Sequence, residues 1–341
     1  MSRERLYLFD TTLRDGNQSR GVDFNVDDKR AIAEALDGLG VDYVEGGWPG
    51  ANITDTEFFA EPPRLARAAM TAFGMTRRPG RSASNDPGLQ AVLQAKVPAV
   101  CLVGKTWDYH VEVALKTTLE EALAAISESI AAVVSVGREA MFDAEHFFDG
   151  YKANPEFTLS CLRAALDAGA RWVVLCDTNG GTLPHEVHTT ITEVARQIPA
   201  SHLGIHAQND TDNAVANSLA AVLAGVRQVQ GTLNGIGERC GNANLVSIIP
   251  TLLLKPAFSD AFETGVSDEG LHQLSRISRL LDERLNRAPN AQAPYVGDAA
   301  FAHKGGLHGS AVAKDPRTYE HVSPDAVGNQ RYVLVSDQAG R

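Results

Sequence analysis

The chain has 341 residues and a formal net charge of −11, with 44 % hydrophobic and 21 % charged residues. This ordinary globular composition excludes an intrinsically disordered chain and a small disulfide scaffold. The acidic balance excludes the clustered basic surface that a nucleic-acid partner requires. Four scattered cysteines form no CxxC pair, and Cys101 and Cys176 lie in apolar runs as reduced core residues. The N-terminal segment lacks the apolar stretch of a signal peptide, and no run approaches the ~18 apolar residues of a membrane span. A cytoplasmic protein without a membrane partner is expected.

Short β-rich apolar runs recur at residues 6–9, 43–44, 70–73, 97–103, 140–142, 172–175, 203–205 and 228–232. Between them lie Ala- and Leu-rich segments with helical periodicity, such as 27–39, 119–136, 157–168, 184–196 and 211–224. Strand and helix alternate eight times over roughly 250 residues, which predicts an α/β fold, a (β/α)8 TIM barrel rather than an open doubly wound sheet. The barrel is expected over residues 1–265 and a small α/β linker subdomain over 266–341. The latter carries an amphipathic helix over 271–285, with Leu271, Leu274, Ile277, Leu280 and Leu281 on one face. A Pro/Ala/Asn stretch follows over 287–294, and the last segment reads as strand up to Arg341.

A TIM barrel keeps its chemistry at the C-terminal ends of its strands and in the loops that follow. Polar clusters fall there seven times, among them DTTLRDGNQ (10–18), EGGWPG (45–50), GKTWDYH (104–110), CDTNGGTLP (176–184), HAQND (206–210) and NGIGERCGNAN (234–244). Seven polar loops on one rim point to an enzyme. His206 and Gln208 are two residues apart, so both face the barrel mouth. Asp15, after the first strand, neighbours the loop of the eighth strand that holds Asn242. One imidazole with several oxygens suits a hard divalent cation, Mg2+ or Mn2+, better than zinc. Each residue also has a plainer reading taken alone: Asp15 as a turn cap, His206 as a hydrogen-bonded rim residue, Asn242 as a partner for loop backbone. The set together favours the metal.

The motifs DTTLRDGNQ, H-x-x-ND before AVANSLAAVLAG, and GTLNGIGERCGNANL resemble the acyl-CoA-dependent Claisen-condensing barrels, the isopropylmalate, homocitrate and citramalate synthases. The segments VDYVEGGWPGAN, GKTWDYHVEVAL, AEHFFDGYKANPEF, HKGGLHGSAVAKDPRTYEH and VGNQRYVLVSDQAGR are most similar to the citramalate branch. The resemblance covers essentially the whole chain. It implies a barrel, a linker and then a C-terminal regulatory domain, which is expected to be absent here together with feedback inhibition.

The resemblance further places the metal ligands on Asp15, His206, Gln208 and Asn242, and an oxyanion-stabilising arginine on Arg14, which also binds substrate. Thr178 falls on a threonine that holds the keto-acid carboxylate. Glu145 and His308 fall on catalytic positions, the histidine reaching a neighbouring subunit's site in a homodimer; both positions also admit a structural role. The implied reaction condenses acetyl-CoA, the co-substrate, with pyruvate and hydrolyses the thioester, giving citramalate and CoA on a route to isoleucine. Isopropylmalate or homocitrate synthesis from a larger 2-oxo acid is the alternative within the family; a weakly active metal-binding barrel remnant is the alternative outside it. One departure stands out: the family's H-x-H is His206-x-Gln208 here, and a Gln carbonyl oxygen is a poorer donor to zinc than to hard cations. Trp48 either narrows the keto-acid pocket or plugs the space beneath its loop.

Overall fold

Eight parallel strands close on themselves where the eight apolar runs stand. In the computed structural model, which describes residues 3–334, they are β1 (Tyr7–Asp10), β2 (Tyr43–Gly47), β3 (Ala69–Met75), β4 (Ala99–Lys105), β5 (Glu139–Glu145), β6 (Trp172–Asp177), β7 (Leu203–Ala207) and β8 (Gln228–Gly231). β1 pairs with β2 on one side and β8 on the other, which closes the barrel. The principal helices after each strand are α1 (Val26–Leu39), α2 (Ile53–Ala60), α3 (Pro87–Gln94), α4 (Leu119–Ser135), α5 (Pro155–Asp167), α6 (Pro184–Val194), α7 (Ala214–Ala224) and α8 (Leu245–Leu254). The expected TIM barrel is the observed architecture.

Both faces of each strand are buried, so the strands read as apolar runs rather than strict alternation. Outward residues such as Leu8, Val44, Leu102, Phe142, Val173 and Ile205 pack beneath the helices. Inward residues Phe9, Tyr43, Cys101, Met141, Trp172 and Val174 fill the barrel. Polar tips inside this apolar layer are satisfied: Trp172 Nε1 donates to Tyr43 Oη at 3.2 Å, and Tyr43 Oη donates to Glu139 at 2.6 Å.

The helices begin where side chains can cap them. Asn25 and Asp28 form a capping box on α1, while Asp86, Thr118, Asn154 and Asn244 cap α3, α4, α5 and α8. α1 ends at Gly40, whose φ of 101° and closeness to Gly265 O leave no room for a Cβ. Two helices differ from expectation. The 211–224 segment becomes helical only at Ala214, because Asp212 takes a left-handed φ of 58°. The 271–285 segment divides at Gln273 into Asp268–His272 and α9 (Leu274–Arg284), which packs against α1. A short strand pair, Glu4–Arg5 with Phe262–Glu263, ties the start of the chain to the segment after α8. Beyond it, α10 (Gly306–Lys314) stands beside a small pair, Ala302–His303 with Tyr332–Val333. The end of the strand expected towards Arg341 falls on residues 335–341, outside the described residues. Among the described residues, no helix is long and apolar enough to cross a membrane.

Two carboxylates hold segments that flank the strands, Asp37 before the N-terminal end of β3 and Asp55 after the C-terminal end of β2. Asp37, half-buried at the end of α1, accepts from the backbone N–H groups of Ala66, Arg67 and Ala68 at 2.7–2.8 Å, and so fixes the chain entering β3. Asp55 pairs with the fully buried Lys29, which also donates to Gly46 O, and accepts from Trp48 N at 2.8 Å. Gly47, at φ 142°, passes so close to the Asp55 carboxylate that a Cβ there would collide with it. Partial burial of Asp37 opposes its charge, but the three N–H donors outweigh this and hold its carboxyl below the usual range. Its stabilisation is therefore present above the unfolded value of about 3.9 and is lost as pH falls through the lower folded value. Asp37→Asn is expected to cost about 1–3 kcal/mol at neutral pH and to flatten the acid limb of stability against pH in urea titrations. An acid limb identical to that of the unsubstituted chain would remove Asp37 from this role.

Candidate active site

Strand parity assembles the site. Continuing each inward-facing series towards the C-terminal ends leads from Tyr43 to Glu45, from Cys101 through Val103 to Lys105, from Met141 to Asp143 and Glu145, from Cys176 to Thr178, and from Gln228 to Gln230. His206 and Gln208 face the same space. The mouth holds a cavity of about 280 Å³ whose lining includes Arg14, Asp15, Glu145, Thr178, His206 and Gln208. Trp48, Phe73, Met75 and Val103 form its apolar wall, and Trp48 packs edge-on against Phe73 at 5.6 Å between centroids. Trp48 thus borders the cavity itself rather than lying beneath its loop.

Arg14 and Asp15 enter from the turn after β1, where Asp15 N donates to Thr11 O. Asp10 holds this turn by accepting from Thr12 N and Thr12 Oγ1, both at 2.8 Å, and Thr12 Oγ1 accepts from Leu233 N in the loop after β8. Burial raises the Asp10 carboxyl to about 7 despite these donors. Arg14 Nε donates to Glu45 Oε2 at 2.7 Å and Nη1 to Asp15 Oδ2 at 3.2 Å, while its guanidinium lies 3.9 Å over the Phe73 ring. Burial works against the Arg14 charge, but Glu45 and Asp15 outweigh it and keep the guanidinium charged. Burial also lifts Glu45 to about 7, with Arg14 pulling the other way. Asp143, buried beside them, is raised for the same reason. Glu45, Cys101 and Asp143 offer ligand atoms within 4.8 Å of one another; Arg14 takes Glu45 Oε2 and leaves Oε1 buried without a partner among the described residues. That group is a charge-compensated network.

The four residues expected as metal ligands converge. His206 Nε2 lies 3.5 Å from Asp15 Oδ2 and 3.3 Å from Gln208 Nε2. Gln208 Nε2 lies 3.5 Å from Asp15 Oδ2, and Asn242 Nδ2 donates to Asp15 Oδ1 at 3.1 Å. Backbone pairing between Gln208 and Asn242 brings their two loops together. Burial opposes the Asp15 charge, yet Arg14, His206 and the two amides hold its carboxyl below the usual range. Gln208 Oε1 and Asn242 Oδ1 are buried without a hydrogen-bond partner among the described residues. Two orphaned amide oxygens beside a carboxylate and an imidazole nitrogen are a donor set that fits a hard cation.

The remaining expected residues divide. Glu145 lines the cavity and pairs with Lys105 Nζ at 2.6 Å, across the β4–β5 register. Thr178 lines it too, and its Oγ1 accepts from His146 N at 2.8 Å. His308 stands apart on α10, exposed, with its ring 4.2 Å from that of Tyr319; within one chain it does not line the cavity. Residue-type motifs passed over Lys105, Glu45, Asp143, Gln230 and Arg239. Parity with the apolar residues of each strand identifies the first four. Arg239, which donates to Thr178 O at 2.8 Å and pairs with Asp210, carries no such signal, because it sits on an irregular loop at φ 54°.

Comparison with known proteins identifies the family. The HMGL-like family matches residues 5–279, and a homocitrate synthase post-HMGL domain-like region matches 295–341. An (R)-citramalate synthase of Aquifex aeolicus is 53 % identical over 340 residues, covering 99 % of this chain and 63 % of its own length. A 2-isopropylmalate synthase of Sulfolobus acidocaldarius is 33 % identical over 344 residues, covering 100 % of this chain and 84 % of its own. The chain spans less than two thirds of the length of the citramalate synthases it matches. An HMG-CoA lyase structure from Bacillus subtilis superposes with a TM-score of 0.70 at 17 % identity, covering 85 % of this chain and 97 % of that one, which shows the shared fold. With the family matched over the whole barrel, the chain belongs to the HMGL-like family.

Proposed function

We propose that the chain is the catalytic part of a citramalate synthase, condensing acetyl-CoA with pyruvate and hydrolysing the thioester to citramalate and CoA. The observation that carries this reading is the convergence of Asp15, His206, Gln208 and Asn242 beside Arg14 in a cavity with one apolar wall. The 53 % identity to an (R)-citramalate synthase supports the choice of substrates. Asp15, His206, Gln208 and Asn242 would hold a divalent cation, Mg2+ or Mn2+, which supplies Lewis-acid polarisation of the 2-oxo acid.

The chain's own groups account for the rest. Arg14, held by Glu45 and stacked on Phe73, keeps its charge where negative charge builds on the former keto oxygen, and it needs no reorganisation at that moment. Thr178 stands at the cavity edge as a hydroxyl donor for the keto-acid carboxylate. Glu145 is the base for the acetyl methyl group, with Lys105 holding its carboxylate in place. His308 joins Glu145 across the interface of a homodimer, from the neighbouring copy of the chain. Trp48, Phe73, Met75 and Val103 crowd the side-chain end of the keto acid, which favours the methyl group of pyruvate over an isopropyl group.

Release of CoA thiol is expected with pyruvate and Mn2+, to be abolished by EDTA, and to fall about 10–200-fold in kcat/KM with 2-oxoisovalerate; preference for the larger acid would move the assignment to isopropylmalate synthesis. Arg14→Ala is expected to lower kcat about 10²–10³-fold with a much smaller rise in KM for pyruvate, and the opposite split would make Arg14 a substrate anchor only. Gln208→His is expected to tighten Zn2+ binding about tenfold or more in calorimetry, since imidazole replaces an amide oxygen. An unchanged affinity would place Gln208 outside the ligand set.

A further inference from the structure

The imidazole of His206 is held from behind by a chain of two buried side chains. Its Nδ1 lies 3.0 Å from Gln230 Oε1, and Gln230 Nε2 donates to Asp143 Oδ1 at 3.1 Å. Gln230 is fully buried and Asp143 is 3 % exposed, so water does not replace either partner. The NH2 end of the Gln230 amide thus faces the Asp143 carboxyl, and its oxygen faces His206. The other end, Oε1, is an acceptor only. A nitrogen opposite it must carry a hydrogen, and a neutral imidazole carries one hydrogen and one lone pair. With the hydrogen on Nδ1, the lone pair lies on Nε2, which faces Asp15 and Gln208.

We propose that Gln230 is a positioning residue: through Asp143 it selects the Nδ1–H tautomer of His206 and locks the ring plane, presenting Nε2 to a divalent cation. This rests on the proposed metal reading for its last step, but not for the choice of tautomer. An amide suits the position for an electrostatic reason. Glu45 and Asp143 already crowd the same layer, with ligand atoms of the two within 4.8 Å. A third carboxylate would add like charge in a low-dielectric interior, whereas an amide passes the acceptor to His206 without adding charge.

The decisive experiment is nitrogen NMR of the histidine rings in the metal-free, 15N-labelled full chain, with His206 assigned by its loss in His206→Asn. The expected state is protonated Nδ1 and bare Nε2; a protonated Nε2 in the unsubstituted chain would overturn the proposal without recourse to any variant. Gln230→Met has similar length and no amide, so a mixture of tautomers is expected, together with a 10–100-fold loss of Mn2+ affinity by electron paramagnetic resonance, roughly the loss seen when a ligand's outer partner is removed. Gln230→Glu retains an acceptor oxygen and is expected to restore the Nδ1–H tautomer. If Gln230→Met leaves both tautomer and Mn2+ affinity unchanged, Gln230 does not position the ring. Absence of Mn2+ binding to the unsubstituted chain, with the Nδ1–H tautomer intact, would instead bring down the metal reading.

Discussion

The barrel mouth is organised around one buried ion pair, Arg14 with Glu45. Glu45 is fully buried at the end of β2, and its carboxylate is reached by Arg14 from the turn after β1 at 2.7 Å. Charges taken out of water cost several kcal/mol each unless geometry and further hydrogen bonds compensate. Here the guanidinium also touches Asp15 and lies over Phe73, so one cation balances two carboxylates and covers an apolar ring. Because Arg14 and Asp15 are adjacent in sequence, fixing the first fixes the second. The four-residue convergence at Asp15 inherits its position from that pair.

Along its axis, the barrel interior changes from apolar to polar. Tyr43, Cys101, Met141 and Trp172 fill it below; Glu45, Asp143, His206 and Gln230 form a buried polar layer above them; Lys105, Glu145 and Thr178 border the open cavity. Parallel strands make this layering possible, since each of the eight contributes its C-terminal end to the same rim. Most polar groups in the middle layer find partners within it. Gln208 Oε1, Asn242 Oδ1 and Glu45 Oε1 do not, and an unmet buried acceptor costs about 1–3 kcal/mol. Two of these oxygens, Gln208 Oε1 and Asn242 Oδ1, belong to side chains that reach Asp15 at the mouth, where a bound cation would meet them.

The periphery is stiffened by devices remote from the cavity. Lys29 and Asp55 grip the backbone of Gly46 and Trp48, so the Trp48 wall is set by an ion pair between α1 and α2. At the opposite end of the barrel, Asp37 holds the chain entering β3. Neither carboxylate lines the cavity.

By itself, the sequence determined the eight strands, the barrel, and the convergence of Asp15, His206, Gln208 and Asn242 at its mouth. These rest on local signals: apolar runs at regular spacing, and polar loops that a parallel barrel must gather on one rim. Strand parity also contained Glu45, Lys105, Asp143 and Gln230, but their types do not announce chemistry, and an inward-facing glutamine reads as packing until its neighbours are known. Only the tertiary structure decided that Arg14 binds Glu45 across 31 positions, that Glu145 pairs with Lys105 through the β4–β5 register, and that His308 stands apart from the cavity of its own chain. Those contacts join residues far apart in sequence, and their distances depend on barrel closure and on irregular loops, neither of which leaves a periodic trace in the chain.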